Sequence, residues 1–275
     1  MSKRIDRQKM RERMRKRADE RRSSGGTYHI QLPDGVEFMS LDEGRNFLDF
    51  LPYEVTGKYH PDEIPAGELW VRRPYRMHRN IGPENRRIIC LTSFGKSCPV
   101  CEERAKLTAE GADKSILGAL RPQERELYVV ADKGSAKVLD TSYYNFGAKL
   151  DEEVSYRDDD TALFWDLEEG FTVEIRMSEE KFAGKTYLEA TRVDFEERKD
   201  LSDKFSESEI KLDDCLVELT AEQVQALLHG MDTPPPFEMD EEDDDSESRS
   251  RSRERDDEDE EQEEEPRTTR RRRRR

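Results

Sequence analysis

Hydrophobic residues along the chain fall into short runs that either alternate with polar residues or form a continuous apolar centre. The apolar-rich passage 36–55 is predicted to contain the first strand and its turn. Later runs predict extended segments at 69–77, 87–91, 125–131 and 137–146. The clearest pairing signal is a β-hairpin made of 170–177 and 185–195, which turns near Ala183 and Gly184.

Helical signals are fewer and shorter. Residues 102–111 begin with two acids, which favour the first turn of a helix, and end at a glycine; a second short helix is predicted at 114–120. A last helix is predicted after Thr220, because Thr220 and Gln223 have the capping-box spacing and Val224, Leu227 and Leu228 form an apolar face. Pro234 to Pro236 end the part that is predicted to fold.

Five or six strands with short helices between them indicate a mainly β protein. We expect a small closed sheet, of which the OB-fold barrel is the most economical example, with a zinc-binding subdomain inserted into it. The predicted organisation is a basic N-terminal arm at 1–26, a folded core at 27–231 and a disordered acidic tail at 232–275 that ends in a run of arginines.

Composition supports disordered ends, because 41% of the 275 residues are charged, 33% are hydrophobic and the net charge is −17. The charge is unevenly distributed: the N-terminal arm is basic, whereas the tail is acidic before its final arginines. No apolar run approaches the roughly 18 residues of a membrane span, so we expect neither membrane insertion nor secretion. Unpaired cysteine and metal-like spacing favour a reducing cytoplasm.

Three of the four cysteines lie close together. Cys98 and Cys101 enclose a Pro-Val dipeptide, so both thiolates can reach one ion, and Cys90 and His78 are the nearest candidates for the other two ligands of a tetrahedral zinc. His60 competes with His78 for the fourth position. A redox-active Cys-x-x-Cys pair is the alternative, but it leaves Cys90 without a role.

Four protein ligands fill the zinc shell, so the predicted metal is structural and no enzymatic activity is expected. Cys215 is predicted to be a free, packed thiol, and His29 and His229 are predicted to be surface or core histidines without a role at the metal.

Between residues 69 and 106 there are nine Lys and Arg residues but only three acids. A basic surface around the metal favours phosphate binding, because the local field and not the net charge attracts a phosphate chain.

These landmarks resemble those of the helix-destabilising, single-stranded-DNA-binding proteins of T-even-like tailed phages. The resemblance covers roughly 45–195 and rests on Phe50-Leu51-Pro52, the ligand set with Ser97-Cys98-Pro99-Val100-Cys101, Val129-Val130-x-Asp132, Tyr144-x-Phe146-Gly147 and the hairpin. The arm here is longer than in that family, and the tail ends in arginines and not in acids.

The resemblance implies a function and a set of partners. It implies a protein of the bacterial host cytoplasm that coats and protects single-stranded DNA, cooperatively and without sequence preference, in phage replication, recombination and repair. The basic arm is then expected to mediate self-association along DNA, and the acidic tail to contact replication and recombination proteins.

We expect the DNA to lie between the barrel and the zinc segment, where cations track phosphates and aromatic rings stack on bases. The candidate cations are Arg72, Arg73, Arg76, Arg86, Arg87, Lys96, Arg121 and Arg125. The candidate aromatic residues are Tyr75, Tyr128, Tyr144, Phe146, Phe182 and Tyr187, several of which could instead belong to the core.

Two other classes remain open. A zinc-dependent nucleic-acid enzyme requires an acid or base beside an open metal position, as in the deaminases. The Pro-Cys-x-x-Cys order of the deaminases, and their glutamate two places after a histidine, are both absent here. A protein-interaction scaffold explains the charged ends but not the arginines around the metal.

Overall fold

The computed structural model describes residues 29–157, 161, 163–182, 184–206 and 210–231. The predicted arm at 1–26 and tail at 232–275 lie outside the described residues. Within the described ranges, no helix is long and apolar enough to cross a membrane.

The described residues form ten strands, most of them where the hydrophobic pattern predicts them. The strands are β1 (Phe38–Met39), β2 (Gly44–Leu51), β3 (Tyr53–Glu54), β4 (Leu69–Trp70), β5 (Arg72–Ile81), β6 (Arg86–Ile89), β7 (Gln123–Asp132), β8 (Ser135–Ser142), β9 (Phe171–Phe182) and β10 (Lys185–Glu197). The predicted hairpin is confirmed as β9 and β10, which are longer than the pattern indicated because their polar outer halves also pair.

The helices are short. They are α1 (Pro99–Ala109), α2 (Lys114–Ala119), α3 (Ala148–Ser155) and α4 (Ala221–Leu228), with a 3-10 helix at Leu91–Phe94 and a π-helical turn at Tyr143–Gly147. The predicted capping box of Thr220 and Gln223 is confirmed at the start of α4. Two predictions are wrong in detail: α1 begins at Pro99 and not at 102, and the extended segment 137–146 ends at Ser142, where the π-helical turn begins.

Strand β7 is the centre of a mixed sheet. The main path runs β1-β8-β7-β2-β9-β10, with β1 parallel to β8. One edge of β7 pairs with β8, whereas the opposite edge pairs with β5 along Gln123–Tyr128 and with β2 from Val129 onward. The sheet therefore forks at β7, and β5 carries β6 away from the main path.

The expected OB barrel is not confirmed. In the part of the chain that the structure describes, no strand pairing joins β10 to β1 or β6, so the sheet is not closed. The mainly β class with short helices is confirmed. The two branches that share this edge of β7 end in β6 and in β10, and neither of these strands pairs with a further strand among the described residues.

Both faces of the sheet are covered around β7. Leu127 and Val129 belong to one buried cluster, whereas Tyr128 and Val130 belong to another. Successive side chains of a strand point to opposite faces, so the continuous apolar run of β7 supplies both cores.

A buried ion pair joins β5 to the segment that precedes α4. Arg73 is 1% exposed, and its Nε lies 2.5 Å from Oδ1 of Asp213. Its Nη2 donates to the carbonyl of Ser93, and the other carboxylate oxygen of Asp213 accepts from the amides of Thr56 and Gly57. One network thus joins four separate parts of the chain.

We expect Asp213→Ala to destabilise the fold by about 3–5 kcal/mol, because it leaves the Arg73 guanidinium buried without its counterion. The neighbouring exposed Asp214, which accepts one long hydrogen bond of 3.4 Å from Thr56, is the matched control, and its replacement by alanine should change stability by less than about 1 kcal/mol. Urea denaturation of both variants measures the difference. Equal effects would show that Arg73 does not depend on Asp213.

Candidate metal centre and the adjoining groove

Four predicted ligands come together from three elements. His78 lies in β5, Cys90 directly follows β6, and Cys98 and Cys101 lie at the start of α1. The amide of Cys90 donates to the carbonyl of Arg76, which keeps Cys90 beside β5. Cys98 is the N-cap residue of α1 and Pro99 occupies its first turn, so the helix itself presents the second thiol of the pair.

The donor atoms of His78, Cys90, Cys98 and Cys101 all lie within 4.8 Å of one another. Nε2 of His78 is 3.5 Å from Sγ of Cys98 and of Cys101, and Sγ of Cys90 is 3.5 Å from Sγ of Cys101. A tetrahedral zinc with ordinary bond lengths requires separations of about 3.6 Å between nitrogen and sulfur and about 3.8 Å between sulfurs. A disulfide requires about 2.05 Å. The cluster therefore has the dimensions of a metal site.

The surroundings of His78 favour metal binding through Nε2. Its Nδ1 lies 3.0 Å from the carbonyl oxygen of Leu120, an arrangement in which Nδ1 carries the proton and Nε2 is free to bind an ion. Leu120 is the C-cap residue of α2, so this helix orients the ring.

The thiols also fit a cation. Hydrogen bonds from Cys101 and Cys90 lower the pKa of the Cys98 thiol well below its usual range, and contacts with Cys90 and Cys98 raise the pKa of Cys101. The opposite directions reflect the repulsion between neighbouring thiolates. A divalent cation would offset this repulsion and allow each thiol to bind as thiolate.

The other histidine and the redox alternative are not supported by the geometry. Nε2 of His60 contacts the hydroxyl of Tyr53 and the carbonyl of Arg72, so His60 belongs to a different hydrogen-bond network. A redox pair leaves His78 and Cys90 unexplained, although both lie within the same cluster. Cys215 is buried and outside the cluster, as predicted for a packed thiol.

A small hydrophobic core surrounds the ligands. Cys90 and Cys98 pack with Ile81, Ile88 and Val100, and Val224 of α4 joins them. Leu227 and Leu228 pack against the same group. The last described helix therefore completes the small core around the ligands.

An open groove of about 1020 Å³ lies beside the metal cluster. It is lined by five arginines and two tyrosines, against a single acid, Glu124; the cations and aromatic residues are Arg76, Arg79, Arg104, Arg121, Arg125, Tyr144 and Tyr187. Arg79 directly follows the ligand His78, Arg104 is on α1 and Arg121 follows Leu120. The elements that hold the cluster thus also position the cations.

Electrostatic repulsion within the groove favours an anionic ligand. Desolvation, followed by repulsion from Arg125 and Arg87, lowers the pKa of Arg79, and Nε of Arg79 is buried without a hydrogen-bond partner in the described structure. An anion placed among these guanidinium groups would relieve the repulsion. Phosphate has the charge and geometry that arginine recognises best.

Five of the predicted DNA contacts line this groove: Arg76, Arg121, Arg125, Tyr144 and Tyr187. Tyr144 is 60% exposed, so its ring is available for stacking. Arg125 is ion-paired with Asp140, and Arg76 with Glu124 at the surface. Arg79 and Arg104 also line the groove. They were not among the predicted contacts, although both lie within the basic stretch 69–106.

Other predicted contacts are structural, and those assignments are corrected here. Tyr75, Tyr128 and Phe146 are at most 2% exposed and pack in the two cores, so their rings cannot stack on a base. Arg73 belongs to the buried pair with Asp213. Arg72 is held by carboxylates of Asp62, Glu126 and Asp151 and lies outside the basic groove.

The remaining predicted contacts lie elsewhere on the surface. Arg86 pairs with Glu84, Lys96 pairs with Glu218, and Arg87 is exposed. Phe182 is 76% exposed at the end of β9. None of these four lines the groove in the part of the chain described, so their role in DNA binding stays a prediction.

The fold and the site together define a β-sheet protein with a candidate Cys3His metal centre beside an arginine-lined groove. No family model matches the chain, and no curated protein matches it significantly. The phage-type family named above therefore remains a resemblance of residue pattern.

Proposed function

We propose that this chain binds single-stranded DNA without sequence preference and coats it cooperatively during phage replication, recombination and repair. The observation that carries the proposal is the groove of five arginines and two tyrosines beside the Cys3His cluster. Guanidinium groups neutralise phosphates, and the exposed ring of Tyr144 offers a face to any base. Neither interaction depends on base sequence.

In this proposal the bound metal is a single zinc with a structural role. Four protein ligands leave no open coordination position, so the ion supplies folding energy and no reaction chemistry. The ion would join β5 to the start of α1, and the carbonyl of Leu120 after α2 bonds to the ligand His78. Arg79 lies in β5, Arg104 lies in α1, and Arg121 directly follows Leu120. The metal would therefore hold the arginines in place.

The open groove fits a single strand better than a duplex. The bases of the bound DNA must be unpaired to stack on Tyr144 and Tyr187, which line the groove together with the arginines. Self-association through residues 1–26 and contacts with replication proteins through 232–275 are also proposed on the resemblance, and truncations at residue 22 and at Pro236 test them separately.

The second candidate is a protein-interaction scaffold, which the acidic overall charge of −17 favours. A scaffold does not require arginines to be gathered against their mutual repulsion, as they are around Arg79. We therefore rank DNA binding first.

A fluorescence anisotropy titration with one mixed-sequence oligonucleotide, single-stranded and as a duplex, tests the proposal. We expect tighter binding to the single strand, and log K should fall with log salt by about 0.7 for each neutralised phosphate. Absence of binding at low salt, or equal affinity for the duplex, would contradict it.

A further inference from the structure

A second cavity continues the groove. It has a volume of about 380 Å³ and shares Arg76, Glu124 and Arg125 with the main groove. These three residues therefore form a common boundary, and a strand lying along the arginines passes the entrance of the second cavity.

The charge of this cavity differs from that of the groove, because acids are here as numerous as cations. Four carboxylates line it against three guanidinium groups: Asp62, Glu124, Glu126 and Asp151 against Arg72, Arg76 and Arg125. Arg125 is further neutralised by Asp140. We call this cavity the acidic pocket. Burial raises the pKa of Glu126 to about 7, so the acids of the pocket roughly balance its guanidinium groups. A phosphate therefore does not meet there the excess of positive charge that it meets in the groove.

The walls of the acidic pocket suit a flat ring. Tyr59 and Tyr143 line it together with Pro61 and Pro74, and Tyr59 is 45% exposed. Aromatic rings stack on nucleobases, and proline offers a rigid apolar surface. The volume of about 380 Å³ is large enough for one base.

The pocket offers hydrogen-bond acceptors. Asp151 uses Oδ1 to bind Arg72, and Asp62 uses Oδ2 to bind Arg72 and the indole nitrogen of Trp70. Within the described residues, the other carboxylate oxygen of each has no hydrogen-bond partner. Glu126 is 2% exposed and bonded to Tyr128 and Arg72, which fixes the third carboxylate in place.

We propose that the acidic pocket takes one base of the bound strand and favours a base with an exocyclic amino group. Cytosine, adenine and guanine carry such a donor, whereas thymine presents carbonyl oxygens in its place. The inference rests on the proposed single-strand binding and adds a base preference to it. The arginine groove supplies affinity for every sequence, and the pocket adds a bias against thymine.

Competition titrations with three octamers test this inference: oligo(dC), oligo(dT) and an oligo(dC) analogue built from 2-pyrimidinone, which lacks only the amino group. We expect oligo(dC) to bind about fivefold to tenfold more tightly than the other two, the discrimination typical of one well-placed amino contact. Equal affinity for oligo(dC) and the 2-pyrimidinone analogue would refute the proposed contact between the pocket and the exocyclic amino group.

Asp151→Ala should abolish the preference while leaving oligo(dT) affinity the same or higher, because it removes an acceptor and a negative charge. Arg121→Gln is the matched control, since Arg121 lines the groove but not the pocket, and it should weaken all three octamers alike. If Asp151→Ala changes all three octamers by the same factor, Asp151 acts only through its charge and the base contact is refuted. If no octamer binds wild-type protein at low salt, the proposed function itself fails.

Discussion

Removing the metal is expected to unfold the segment around α1 and to lower the stability of the folded core by about 5 kcal/mol or more. For a core of about 200 residues this corresponds to a fall in melting temperature of about 10–20 °C. The reason is that three thiols and one imidazole converge inside a small core that is separate from the two larger ones, so this core would depend on the ion that joins them. Metal analysis should give one zinc per chain, and melting curves with and without a strong chelator measure the loss.

A pair of serine variants provides the control. Cys98→Ser removes a proposed ligand and should lose the metal together with the stability. Cys215→Ser makes the same chemical change at a buried thiol outside the cluster, so it should keep one zinc and lose only about 1–2 kcal/mol. A protein that is purified without zinc, or that melts at the same temperature in chelator, would refute the metal centre.

Reversing two groove charges should have the largest effect on binding. Arg76→Glu with Arg121→Glu is expected to weaken single-strand binding by about 100-fold or more at low salt and to reduce the salt slope by about 1.4, because two phosphate contacts become repulsive. Both side chains are exposed, so the fold should be preserved. Anisotropy titrations over a range of salt concentrations measure both quantities.

A matched control variant changes the net charge of the protein by the same amount at a surface away from the groove. Lys199 and Lys204 are exposed, follow β10 and do not line the groove. Their replacement by glutamate should leave the salt slope unchanged and weaken binding only slightly. Similar losses in the two double variants would show that total charge, and not the groove, governs binding.

The metal cluster could be predicted from sequence because ligand chemistry restricts the choice of residues. Cys98 and Cys101 are close along the chain, and a tetrahedral zinc requires two further thiolate or imidazole ligands. Only Cys90 and two histidines, His60 and His78, are near enough in sequence to supply them. The choice of His78 over His60 required the structure, since it depends on the pairing of β5 with β6 and on the carbonyl of Leu120.

The aromatic contacts were harder to predict. Tyr144 and Phe146 are two residues apart, yet Tyr144 is 60% exposed and Phe146 is fully buried. Both lie in the π-helical turn, which directs their side chains to different sides. Tyr128 lies in a strand that is covered on both faces, so alternation along the strand gives no sign of its burial.

The roles of the adjacent Arg72 and Arg73 also could not be predicted from the sequence. Nothing in the sequence distinguishes Arg72 from Arg73. In the structure, Arg73 forms an ion pair with Asp213, far along the chain. Arg72 forms ion pairs with Glu126 and Asp151. Contacts at such separations depend on the complete fold. Local composition identified a basic region, and only the three-dimensional arrangement distinguished the groove arginines from the structural ones.

The packing of α4 against the ligands has a consequence for biosynthesis. A nascent chain that has emerged only as far as β10 already contains all four ligands, but it lacks Val224, Leu227 and Leu228, which cover them. During this interval the four ligands would lack the apolar cover that α4 provides. A metal ion bound at that stage would already hold β5 and the start of α1 together before α4 is synthesised.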